Sequence, residues 1–158
     1  MNAVRKRNNV QKNGILLVGA SQGGAVSALT ASRHPRHIGA LALMYPAFSI
    51  TADAQARYSS YSQVPNRPDI FGITVGKAYY RGLFDMDLTH DATKFNGPVL
   101  IVHGQADDTV PIRYSRQAQH NFRNATLKEI PNARHGFSGA DLNRSIKYMD
   151  DFVDNLKS

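Results

Sequence analysis

The stretch Ile15-Leu16-Leu17-Val18-Gly19-Ala20-Ser21-Gln22-Gly23-Gly24-Ala25 decides how the chain is read. A continuous apolar run, a turn of small residues around one serine, and an Ala-rich segment after it mark a strand that turns sharply into a helix. Within it Gly19-Ala20-Ser21-Gln22-Gly23 matches G-x-S-x-G. A serine at such a turn has strained dihedrals, and the residues two before and two after it must be small so that strand and helix can pass closely. Gly19, Gly23 and Gly24 meet that demand. The turn presents the hydroxyl at the carboxyl end of the strand, where the free N–H groups of the helix N-terminus also point. A Gly-rich turn that merely joins strand to helix has the same local pattern, so the residues further along the chain must discriminate.

A serine hydroxyl is a poor nucleophile at neutral pH and needs a histidine to take its proton and a carboxylate to hold that histidine in one tautomer. Both follow in order, each after an apolar run. Val99–Val102 leads into His103-Gly104-Gln105-Ala106-Asp107-Asp108-Thr109-Val110-Pro111, and Thr126–Ile130 leads into Asn132-Ala133-Arg134-His135-Gly136-Phe137. Asp107 and His135 thus fall on loops at strand ends. Asp108 competes as the acid, and Asp107 has a plainer reading as a surface turn or a cap for the helix that begins near Ile112.

Outward from these loops, short apolar runs alternate with segments of helical period, the pattern of a three-layer α/β domain with a mostly parallel sheet. Strands are expected at Ile15–Val18, Ala40–Tyr45, Val99–His103 and Thr126–Ile130. The first three read as buried on both faces and the last, which alternates, as an edge. Helices are expected at Gln22–Arg33, Ile112–Asn121 and Gly139–Leu156. The whole of 1–158 reads as one domain, interrupted at 48–92 by an inserted lid with helical turns near Val75–Leu83, because a segment this long and Pro-rich does not fit a simple crossover. Its Tyr58, Tyr79 and Tyr80 are candidate substrate contacts, since a phenol both stacks and donates, although an inserted segment also needs aromatics for its own packing.

Together the nucleophile turn, the H-G-x-x-D-x-x-V-P segment and the A-x-H-G-F segment resemble the α/β-hydrolase family, and among its members the small-lid cinnamoyl and feruloyl esterases. The resemblance implies Ser21 as nucleophile, His135 as base, Asp107 as acid and the N–H of Gln22 as one oxyanion donor, with no metal or organic cofactor. It implies hydrolysis of short-acyl or aromatic carboxylic esters, with a peptidase, an acylglycerol lipase and a thioesterase as alternatives on the same fold. It also implies that the strands which come first in the family are missing here, and with them the second oxyanion donor. The run Ile15–Val18 is then a sheet edge that a second copy or another partner would cover. An impaired remnant serving as an interaction module is the alternative from outside catalysis.

Composition narrows the rest. The 158 residues are 42% hydrophobic, enough for a core, and contain no cysteine, which excludes a thiol nucleophile and a thiolate metal site. Of the net +7, the excess lies in the first third: Arg5, Lys6, Arg7, Lys12, Arg33 and Arg36 stand there without an acidic residue before Asp53. No aromatic precedes Tyr45, so a stacking groove for nucleic acid is not expected. His34 and His37 flank Pro35 at a helix end, His90 and His120 read as surface residues, and His103 reads as a hydrogen-bonding residue beside the acid loop. With neither a membrane span nor a secretory signal in the sequence, the expected location is the cytoplasm.

Overall fold

A computed structural model describes residues 2–10 and 14–157; Lys12, one of the six cations of the first third, lies outside them. In chain order the elements are α1 (Asn2–Arg5), β1 (Ile15–Ala20), α2 (Gln22–Arg33), β2 (Ile38–Met44), α3 (Ile50–Arg57), β3 (Asp69–Ile70), β4 (Ile73–Thr74), α4 (Leu88–Asp91), β5 (Val99–Gly104), α5 (Arg113–Asn121), β6 (Ala125–Ile130) and α6 (Gly139–Asn155). The four long strands form one parallel sheet in the order β1-β2-β5-β6. Sequence order equals spatial order, so every crossover lies on the same face. That face carries α2, α4 and α5, and its core joins Ala25, Ala28 and Ala31 of α2 to Leu41, Leu43, Val99 and Ile101 of the sheet and to Ala118 and Phe122. Small residues along α2 let its backbone lie close to β1 and β2. On the other face lies α6, packing Tyr148, Met149 and Phe152 on Leu100, Val102 and Ile130. The layers are therefore helix, sheet, helix, as the alternation of apolar runs implied.

Ile15–Val18 stands at the sheet edge that the resemblance implied, in a strand that pairs only with β2 among the described residues. One expectation changes: the run read as buried on both faces, and Val18 is 54% exposed. Its apolar continuity marks a strand with one covered face. Between Ala47 and Pro98, the helical turns expected near Val75–Leu83 take the form of a 3-10 turn at Lys77–Tyr80, and the same stretch also holds α3, α4, a 3-10 turn at Tyr61–Gln63 and the antiparallel pair β3–β4. Phe71 and Gly72 at the tip of that pair take φ of 51° and 82°, and the Asp69 carboxylate accepts from the Gly72 N–H at 2.9 Å, which fixes the turn. No helix among the described residues is long and apolar enough to cross a membrane.

Candidate active site

Three loops at the carboxyl ends of the strands meet over the sheet. Ser21 stands between β1 and α2 with φ 50° and ψ −122°, a left-handed conformation that a non-glycine residue holds only when its surroundings enforce it. They do: the Ser21 N–H donates to the Met44 carbonyl, and its own carbonyl accepts from Gly24 and Ala47. A Cβ on Gly19 would stand 2.6 Å from the Ser27 hydroxyl and closer still to the Gly23 carbonyl oxygen, and one on Gly24 would meet Pro46 Cβ at 2.9 Å. At Gly23, however, a Cβ would meet nothing within 4 Å. The need for small residues therefore falls on Gly19 and Gly24, because the tight contacts are between the strand end, the first helical turns and the β2 loop.

The loop that carries Asp107 follows β5 and the loop that carries His135 follows β6. Gly104 makes their approach possible, since a Cβ there would collide with the Ala133 carbonyl. The Gln105 N–H donates to the Ile130 carbonyl and the Ala106 N–H to that of Ala133, so the two loops are tied backbone to backbone. These ties set the side chains: His135 Nε2 lies 2.9 Å from Ser21 Oγ, and His135 Nδ1 lies 2.8 Å from Asp107 Oδ2. The Asp107 side chain is fully buried and His135 is 20% exposed, opening toward Ser21. The other Asp107 oxygen accepts from the Thr109 and Val110 N–H groups at 3.0 and 2.8 Å. Asp108, the competing acid, points outward and pairs with Arg134 on the surface at 3.0 Å.

A cavity of about 280 Å³ opens at Ser21, lined among others by Gln22, Ile50, Ile73, Val75 and Tyr79. Burial, reinforced by Tyr80 and Asp53, holds the Tyr79 phenol above its ordinary pKa, so it stays a neutral donor. Of the three tyrosines singled out in the sequence, Tyr79 alone lines this cavity. Tyr80 is buried, and Tyr58 stacks edge-on against it at 5.4 Å, within a cluster that includes Ala54 and Val64. The segment between β2 and β5 uses that pair for its own core, which is why their aromatic character misleads.

Several residues escaped the sequence reading. Asp53 lines the cavity and accepts a hydrogen bond from the buried Ser49 hydroxyl at 2.7 Å. Phe71, 83% exposed, and Ile73, 67% exposed, form its outer wall. Tyr45, at φ 36°, sets its ring against His135 and Phe137, each at 4.8 Å. Only the position of Tyr45 after an apolar run could have drawn attention to it. Among the described residues no His, Asp or Glu cluster could hold a metal ion.

Comparison with known proteins agrees with this architecture. The structure superposes on Est1E from Butyrivibrio proteoclasticus with a TM-score of 0.87 at 24% identity, covering 99% of this chain and 66% of that one. The ferulic acid complex of Est1E gives 0.86, again at 24% identity, with 99% and 65% covered. Alpha/beta hydrolase domain-containing protein 10 from mouse gives 0.74 at 21% identity, with 94% and 65% covered. The chain thus spans just under two thirds of the length of these structures. No curated protein matches it in sequence. A family profile described as the prolyl oligopeptidase family matches residues 1–157. The chain belongs to the prolyl oligopeptidase family and has the α/β-hydrolase fold.

Proposed function

We propose that the protein is a serine carboxylic ester hydrolase that works through an acyl-enzyme and takes short-acyl or aromatic esters. The observation that carries this reading is the continuous hydrogen-bonded line Ser21–His135–Asp107 at the mouth of a largely apolar cavity. In this reading Ser21 Oγ attacks the ester carbonyl carbon while His135 Nε2 takes its proton. The imidazolium is held by Asp107 through Nδ1–H, and the Gln22 N–H donates to the developing oxyanion. Collapse of the tetrahedral intermediate breaks the bond to the alcohol, and His135 returns the proton to that leaving oxygen. Water then enters by the same route in reverse and frees the acid and Ser21.

The cavity supports the substrate class. About 280 Å³ is at the small end of ligand pockets, enough for a short or single-ring acyl group and too little for a long chain. Ferulic acid bound to Est1E is an aromatic acid of that size in a protein of the same fold. The family match favours a second reading, peptide hydrolysis, which the same three residues also perform. A panel of nitrophenyl esters, hydroxycinnamate methyl esters and aminoacyl anilides separates the two by kcat/KM. Esters ahead of anilides by tenfold or more, about 1.4 kcal/mol at the transition state, is the expected outcome. Anilides ahead of every ester would overturn it.

A further inference from the structure

Asp107 Oδ2 has a second partner. His103 Nε2, near the carboxyl end of β5, lies 3.0 Å from it. The same nitrogen lies 2.9 Å from the Val110 carbonyl oxygen, which can only accept. Nε2 must therefore carry the ring hydrogen. His103 Nδ1 lies 2.6 Å from the Ser115 hydroxyl on α5, so in the neutral ring Nδ1 accepts and Ser115 donates. His103 and Ser115 are both wholly buried. The result is one hydrogen-bonded line of five residues, Ser115, His103, Asp107, His135 and Ser21, running from the interior of α5 to the surface cavity.

We infer that His103 is a positioning residue: as a neutral Nε2–H imidazole, its tautomer set by Val110 and Ser115, it fixes the Asp107 carboxylate so that Oδ2 meets His135 Nδ1–H. This rests on the proposed roles of Ser21, Asp107 and His135. A neutral donor suits the task better than a cation would. A positive charge at His103 would cancel the carboxylate charge that must stabilise the His135 imidazolium, whereas a neutral N–H orients the oxygen and leaves that charge available. Burial holds His103 below the ordinary histidine pKa, against the opposing pull of the Val110 carbonyl and Asp107, and the nearby His135 lowers it further. Asp107, His135 and Glu129, its register neighbour on β6, are the titratable groups that face it. Without the His103 donor, the carboxylate is held at Oδ1 by the Thr109 and Val110 N–H groups but Oδ2 loses the partner that fixes it opposite His135, and a misplacement near 1 Å costs about 100-fold in rate.

The test uses the 158-residue chain labelled with ¹⁵N at histidine, with His103→Gln, His103→Leu and Ser21→Ala alongside. Glutamine puts an amide N–H near the place of Nε2–H; leucine fills the volume and donates nothing. In the unsubstituted chain the ring nitrogens of His103 should report Nε2 protonated and Nδ1 bare throughout about pH 5 to pH 9, where an ordinary histidine titrates. The downfield Nδ1–H proton of His135, which reports its bond to Asp107, should persist in His103→Gln and be lost in His103→Leu. With 4-nitrophenyl acetate, kcat should fall about 10- to 100-fold in His103→Leu at nearly constant KM, and most of it should return in His103→Gln. An Nδ1–H tautomer, titration of His103 in that range, or a His135 resonance retained in His103→Leu would overturn the inference. So would equal kcat losses in the two variants that track their melting temperatures, since a purely structural histidine predicts that. Turnover that survives in Ser21→Ala would refute the proposed nucleophile instead, and the ring-nitrogen measurements would still decide the case of His103.

Discussion

Replacing Gly19 and Gly23 by alanine, one at a time, separates what the G-x-S-x-G pattern implies from what the backbone requires. In Gly19→Ala the new methyl group would lie 2.6 Å from both the Gly23 carbonyl carbon and the Ser27 hydroxyl, and nearer still to the Gly23 oxygen. Most of these atoms are backbone, so β1 and the first turn of α2 must separate rather than a side chain swing away. Overpacking of this kind costs about 3 kcal/mol or more, at the upper end of what an added methylene does in a packed interior. For a domain of this size that lowers Tm by about 6–12 °C. The same shift moves Ser21 Oγ from its 2.9 Å contact with His135, and kcat should fall about 100-fold. Gly23→Ala meets no atom and sits in the first turn of a helix, where alanine gains about 0.5 kcal/mol over glycine. Its Tm should rise by about 1–2 °C with activity retained. Thermal unfolding by circular dichroism and turnover of 4-nitrophenyl acetate read both variants. Equal damage from the two substitutions would refute the assignment of close packing to Gly19.

The two adjacent aspartates should part just as clearly. Asp107→Asn, which can no longer hold the His135 tautomer, should lose about 10⁴ in kcat, as in other triads, while Asp108→Asn, which loses an exposed pair with Arg134, should stay within about twofold; steady-state kinetics of both variants decide it. At the far side of the loop that carries His135, Arg116 donates through two nitrogens to Glu129, each at 2.8 Å, and holds that carboxyl down to about 2 from an ordinary 4.5. Because the folded value is depressed, the stabilisation is complete above about pH 4.5 and disappears as the pH falls toward 2. Arg116 is mostly exposed, so Glu129→Gln should cost only about 0.5–1 kcal/mol at pH 7, and its Tm deficit relative to the unsubstituted chain should close in acid. Truncating the outer wall of the cavity, Phe71→Ser with Ile73→Ser, should raise KM for aromatic esters about tenfold and leave kcat within about threefold, because the wall binds acyl group and transition state alike.

Much of the architecture is legible in the chain because the relevant signals are local. The four strands and the three long helices follow from apolar runs and helical spacing, with bounds that move by a residue or two. The order Ser21, Asp107, His135 is legible because each residue follows a strand, and parallel strands place all such loops at one end of the sheet. What stayed hidden depends on contacts between distant segments. The exposure of Val18 is not written in the apolar run of β1; the strand's edge position came from the resemblance, not from the run itself. Whether Tyr58, Tyr79 or Tyr80 faces the cavity depends on how 47–98 folds back, and three aromatics of equal character end in two different environments. The β3–β4 pair is only two residues a side, too short for periodicity to register. Gly23 looked as constrained as Gly19 because a motif carries letters without distances. The second role of His103 needed Val110 and Ser115, seven and twelve residues away, to fix its tautomer.

The most direct test of the central claim is intact-mass detection of fluorophosphonate labelling of the folded chain, with Ser21→Ala and His135→Ala alongside. One adduct on the unsubstituted chain, none on Ser21→Ala and strongly slowed labelling of His135→Ala is the result expected if Ser21 is a nucleophile activated by His135. Folded protein that takes no label, or a Ser21→Ala variant labelled as readily as the parent, would contradict it.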